Sequence, residues 1–212
     1  AATRIRSYER AVGSWSTCER TVELGLGVCF RESEQVAVDR KAPTHADAVS
    51  AIVFGSNQGL VGQFNDVVAN YAIKTLAALP GKAKVWAVGG RVHARLADAG
   101  LPLAGLFGVP NSVRAITPLV GQILVESEAR HSQDALNGLY LFYNRPGNGA
   151  VYAPVSQRLL PLDEIWRRKA AKRPWPTGNL PEIVGGDNTT LRALIHEYLF
   201  VALFRACAES LA

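Results

Sequence analysis

The chain has 212 residues, with 23 Lys and Arg against 18 Asp and Glu, three Cys and no Met. Apolar side chains make up 48% and charged ones 19%, a globular balance that excludes a disordered chain. No apolar run approaches the roughly 20 residues that span a bilayer. Arg4, Arg6, Glu9 and Arg10 interrupt any secretory leader.

Apolar residues Ile5, Tyr8, Val12, Trp15, Val22, Leu26 and Cys29 recur at helical spacing, with one polar interruption at Glu19. This predicts an amphipathic helix from about Thr3 to Glu34, roughly 45 Å long. Gly13, Gly25 and Gly27 weaken it by up to about 1 kcal/mol each relative to Ala, yet small residues also admit a close partner helix. Cys18 and Cys29 fall on one face of it roughly 16 Å apart, beyond disulfide reach. With Cys207 they fit core cysteines of a cytoplasmic protein.

A loop with Pro43 and Thr44 covers Ala42 to Ala48, and then the period changes. Ala51 to Phe54 is a short continuous apolar run ending in Gly55-Ser56-Asn57-Gln58-Gly59, which predicts a buried strand and a tight turn. A helix follows from Phe64 to Leu79, stopped by Pro80-Gly81. Val85 to Val88 is a second strand, Gly89-Gly90 a second turn, Val92 to Ala97 a short helix and Leu103 to Val109 an extended piece. Ser112 to His131 is helical, with Pro118 early in it. Leu139 to Tyr143 is a third strand, turned at Asn144 to Gly149 and hairpinned to Val151 to Leu160. Strands alternating with helices predict a largely parallel sheet with one antiparallel edge.

Residues 163–186 are expected to form a basic loop containing Pro and Trp. Asp187 or Asn188 then caps a last helix from Thr189 to Ala212. Between Leu194 and Phe204 only His196 and Glu197 are polar, so this helix must lie between two layers, the long first helix being one of them.

Candidate chemistry is sparse. The turn from Gly55 to Gly62 resembles a phosphate cradle, but it lacks both the Gly-Lys-Ser ending of a P-loop and G-x-G-x-x-G spacing. Ser56 is no nucleophile elbow, because G-x-S-x-G is absent. His45, His93, His131 and His196 are scattered, and Asp163, Glu164, Glu126 and Glu128 form no paired acid. Positive charge gathers at Arg158, Arg167, Arg168, Lys169, Lys172 and Arg173, which suits phosphates, acidic lipid or an acidic protein surface. No aromatic platform accompanies it, which argues against a nucleic acid partner.

The turn and the last helix together resemble the gamma subunit of rotary F-type ATP synthases. Ser56, Gly59, Leu60, Gly62 and Asn65 match that family's glycine-rich turn, whereas Asn57, Val61 and Gln63 replace its Asp, Cys and Gly. In the last helix Tyr198, Leu199, Leu203, Ala206 and Glu209 to Ala212 are similar to the family's C-terminal helix. Ala1 to Ile5, Leu139 to Asn144 and Gln157 to Pro161 also fall where the family has such segments. The departures point to a divergent branch such as the alternate N-type ATPases.

The resemblance implies an α/β fold, a Rossmann-like mostly parallel sheet inserted between long N- and C-terminal helices that pack as an antiparallel coiled coil. It divides the chain into an N-terminal helix over 1–40, an α/β domain over 41–186 and a C-terminal helix over 187–212. Coiled-coil packing falls to Ile5, Tyr8, Val12, Trp15, Val22, Ile195, Tyr198, Ala202, Ala206 and Glu209. It implies a non-catalytic central-stalk rotor subunit that couples ion flow to ATP synthesis or hydrolysis, without cofactor or metal. Implied partners are the alpha and beta subunits of the catalytic hexamer, the epsilon subunit and the c-subunit ring. The implied location is peripheral, at the cytoplasmic face of the cell membrane. In that family both helices continue further, so the chain is expected to be a foot without the shaft tips. The competing expectation is a small α/β nucleotide-binding protein or enzyme using the Gly55 to Gly62 turn. A third is an adaptor docking acidic surfaces through Arg167 to Arg173.

Overall fold

The computed structural model describes residues 2–34, 48–57, 63–131, 138–147, 152–179, 181–183 and 187–211, apart from the side chains of 2–5, 32–34, 48, 128–131 and 187–188. In chain order the elements are α1 (Ala2–Glu34), β1 (Ala48–Phe54), α2 (Phe64–Ala77), β2 (Lys82–Val88), α3 (Gly90–Asp98) and β3 (Leu103–Phe107). A 3-10 turn over Val113–Ala115 leads into α4 (Ile116–His131). The chain ends with β4 (Gly138–Pro146), β5 (Tyr152–Leu160), α5 (Glu164–Ala171) and α6 (Asp187–Leu211).

The sheet order is β3-β2-β1-β4-β5. The first three pairings are parallel and β5 runs antiparallel on the edge. β1 is longer than its apolar run predicts. Its first residues, Ala48 to Ser50, pair with Lys82 to Lys84, because a central strand is extended by both neighbours whatever its own side chains. Pro154 lies within β5, where an edge strand tolerates a missing donor.

Two cores flank the sheet. On one face Val53, Val85, Ala87 and Phe142 pack with Val68, Ala72 and Leu76 of α2 and with Val92 and Leu96 of α3. On the other, Ile52, Phe54, Trp86, Leu141 and Tyr143 pack with α4 and α6, and this core continues without a break into α1 and α5. From Val201 to Phe204 every residue of α6 is buried. The helix lies between the sheet and α1, as its all-round apolar character requires.

Three expectations need correction. Residues 163–186 are not all loop, because Glu164–Ala171 is α5. The Asp163 carboxylate caps it by accepting from the Trp166 amide at 2.6 Å, and Trp166, Ala170 and Ala171 turn inward. α6 already includes Asp187, two residues before its expected start at Thr189. Cys18 is exposed while Cys29 and Cys207 are buried. α1 is covered on one side at Cys18, but by both α5 and α6 near Cys29.

Candidate functional site

The carboxyl ends of β1 and β4 meet at the point where the strand order reverses, the usual ligand crevice of a doubly wound sheet. Among the described residues, carboxamides tie the rim of this crevice together. Asn65 Oδ1 accepts from the Ser56 amide at 2.8 Å, and Asn65 Nδ2 donates to Ser56 Oγ at 3.0 Å. Asn57 Oδ1 accepts from the Gly90 amide at 2.8 Å, pinning the first turn to the second. Asn144 Nδ2 donates to the Phe64 carbonyl at 2.8 Å. Two backbone amides beside this crevice, those of Ser56 and Gly90, are thus bonded to the protein's own oxygens rather than left open to a phosphate. Gly55 permits this arrangement, since a Cβ there would stand 2.5 Å from Val92 Cβ. Ser56 and Asn65 are thus brought together, whereas Gly59, Leu60 and Gly62 lie outside the described residues.

The second candidate is the helix pair. Trp15 stacks on Phe204 with ring centroids 4.2 Å apart, Arg205 meets Glu19, and Gly25 abuts Leu194. Residue numbers rise along α1 as they fall along α6, so the pair is antiparallel. Tyr8 and Val22 are buried, and Val12 and Trp15 half-buried, on α1. On α6 Tyr198, Ala202, Ala206 and Glu209 are buried and Ile195 half-buried. The Ile5 side chain lies outside the description. Gly27 admits the third helix: a Cβ there would lie 2.4 Å from the Ala170 carbonyl oxygen of α5.

Polar clamps fasten these helices. Glu209, only 7% exposed, accepts from Arg145 Nε of β4 at 2.8 Å and from Arg205 Nε at 2.7 Å. Arg205 also reaches Glu19 of α1 at 2.8 Å, and Arg145 donates to the Tyr143 hydroxyl at 2.6 Å. One connected cluster therefore joins β4, α6 and α1. Burial pushes the Glu209 carboxyl up, but hydrogen bonds from Arg145 and Arg205, with their charges, outweigh it and hold it below its ordinary range. Burial, with Glu209 nearby, raises the Tyr143 hydroxyl. Arg167 of α5 sits over the Phe30 ring at 5.0 Å, and Arg173, just past the end of α5, pairs with Glu23 of α1. A cleft of about 610 Å³ opens beside Arg20 and Leu24, but Glu19 and Glu23 on its wall are bound to Arg205 and Arg173.

Sequence reasoning missed this network in part. Glu19 counted as an interruption and Arg145 as a turn residue. The available signal was Arg205 and Glu209, a charged i,i+4 pair inside the otherwise apolar stretch from Tyr198 to Glu209. Of the four histidines, His93 stands on α3 and His196 on α6, while His45 and the His131 side chain lie outside the described residues. Among the described residues no three His, Cys, Asp or Glu form a group that could hold a metal, and no helix is long and apolar enough to cross a membrane.

Fold and site thus define an α/β sheet domain fastened to an antiparallel helix pair, with an interface as its principal feature. A family model described as ATP synthase matches residues 1–212, and the chain belongs to that family. It is 27% identical over 177 residues to the ATP synthase gamma chain of Nitrosomonas eutropha (strain DSM 101675 / C91 / Nm57), covering 77% of this chain. The match spans 57% of that relative's length. Among solved structures it is similar to a chain of the Tetrahymena thermophila mitochondrial ATP synthase central stalk and c-ring. There the TM-score is 0.59 at 15% identity, covering 98% of this chain and 92% of the other. A chain of the Euglena gracilis mitochondrial ATP synthase rotor, in rotational state 1, gives 0.56 at 13% identity, covering 99% and 86%. At such identities the likeness concerns the fold.

Proposed function

We propose that this chain is the foot of a central-stalk gamma subunit in a rotary F-type ATP synthase. It transmits torque and carries out no chemistry itself. The observation that supports this best is the shared core: α6 packs on the sheet with one side and on α1 with the other, and the Glu209 cluster pins all three. A helix pair so fastened turns only with its foot, which is what coupling two distant sites mechanically demands. The bonding at Ser56, Asn57 and Asn65 supports a structural rather than a nucleotide-binding role for the crevice.

In this reading residues 1–40 and 187–212 form the coiled coil and 41–186 the α/β domain. Partners are the alpha and beta subunits of the catalytic hexamer, the epsilon subunit and the c-subunit ring. The chain sits peripherally, at the cytoplasmic face of the cell membrane. The seam side chains, among them Trp15, Val22, Tyr198, Ala202 and Ala206, hold the stalk together.

The test is reconstitution with separately purified epsilon subunit and c ring, followed by size-exclusion chromatography and by calorimetry with ATP, NAD and FMN. Co-elution with both partners and no heat with any nucleotide is expected. Saturable nucleotide binding, or failure to associate with either partner, overturns the proposal.

A further inference from the structure

The cationic segment read from the sequence as a loop is sorted by α5 into two faces. Its inner face carries Trp166, Ala170 and Ala171, packed against α1 and α6. Ile165, Arg168, Lys169 and Lys172 stand at i, i+3, i+4 and i+7, so they share the outer face. Arg168 pairs with Glu164, whereas Lys169 and Lys172 form no ion pair among the described residues. Ile165 is 82% exposed, the most exposed large apolar side chain described. With Arg173 and Pro174 these residues line a shallow groove of about 530 Å³.

We propose that the outer face of α5 is a docking surface for an acidic protein segment that places one apolar side chain against Ile165 between flanking carboxylates. The proposal is independent of the rotor reading. Charge complementarity selects an anionic partner, and among the described residues Lys169 and Lys172 have no carboxylate paired with them. The shape separates a protein from a bilayer. A helix that lies in a membrane buries a whole apolar face by about 5–10 Å. α5 offers a single outward aliphatic side chain set in a groove, which fits one anchoring residue. Exposed lysine stems flanking the groove add apolar contact while their ammonium groups stay hydrated.

The experiment measures fluorescence anisotropy of a labelled synthetic peptide, a leucine between two runs of glutamate, titrated with the full chain. Phosphatidylserine-containing vesicles are tested in parallel by flotation. Expected results are saturable peptide binding that K169E/K172E weakens by about tenfold or more, in keeping with the loss of two attractive charges. Ile165→Ser weakens it by about fivefold or more, as loss of a buried aliphatic contact demands. Raising salt from about 0.1 M to about 1 M shortens the screening length from about 10 Å to about 3 Å and abolishes binding. Lys82→Glu, an exposed charge reversal on β2, leaves affinity unchanged, and circular dichroism checks that each variant is folded. Absence of peptide binding, equal weakening by Lys82→Glu, or flotation with vesicles in place of peptide binding would each overturn the proposal.

Discussion

The two long helices meet along one seam yet live in different surroundings. Over residues 6–20 α1 keeps a single inward stripe of Tyr8, Ala11, Val12, Trp15 and Glu19, and the rest of its surface is wet. α6 over residues 198–209 is buried except at half-buried Phe200 and Arg205, and the Arg205 guanidinium is spent on Glu19 and Glu209. The difference teaches that α6 is the structural axis, held by the sheet, while α1 is laid against it from outside. Only beyond Val22, where α5 covers it, is α1 enclosed as deeply.

Truncating one side chain in each helix gives the sharpest test. Leu203→Ala, at a fully buried position of α6, is expected to lower stability by about 2–5 kcal/mol, and Val12→Ala on half-buried α1 by about 1 kcal/mol. Urea denaturation measures both; equal losses would end the distinction between axis and outer helix. Glycines probe the same contrast within α1. Gly27→Ala forces a Cβ toward the Ala170 carbonyl and is expected to destabilise by about 1–3 kcal/mol. Gly13→Ala has nothing within 4 Å of the new Cβ and is expected to stabilise by about 0.5–1 kcal/mol. The same sign at both sites would mean that α5 does not press on α1.

Glu209→Gln attacks the fastening of α6 to β4, with an expected loss of about 1–3 kcal/mol. Its pH dependence has a definite sign. The folded carboxyl sits below the ordinary value of 4.5, so its contribution is present above that pH and is lost as pH falls through the lower folded value. The wild-type chain should therefore lose stability in acid faster than Glu209→Gln, measured by thermal melts at stepped pH. A small effect is expected at α5 too, where Asp163→Ala removes the cap to Trp166 and costs about 1 kcal/mol. Accompanying loss of Trp166 fluorescence shift on melting would locate that change in α5.

Much of the fold was legible. Spacing of three and four located α1, α2 and α4, and continuous apolar runs located β1, β2 and β4, because both periods follow from backbone geometry. α5 was missed although Asp163, Glu164 and the i,i+4 pair Trp166 and Ala170 stood in the sequence. Its eight residues carry too many charges for an apolar period, and a Pro- and Gly-containing stretch follows directly. Gly25 and Gly27 were correctly suspected as close-packing positions, but sequence could not tell that Gly13 was open. For the site, the apolar stripe was visible and the partner of its one interruption was not.

The sequence by itself determined where helices and strands form, that the last helix is enclosed, and that cationic charge gathers before it. These properties depend on neighbours within a turn or two of the chain. Tertiary structure decided which charges are free and which are occupied. Glu19 and Arg205 are 186 positions apart, and Arg173 and Glu23 are 150 apart. Such pairs exist only after the chain has doubled back, since a polar group's partner is set by packing and not by period. That distinction turned one undivided basic run into an anchored Arg173 and an outward Lys169 and Lys172, and it tied Ser56 to Asn65 and Asn57 to Gly90 at the end of β1.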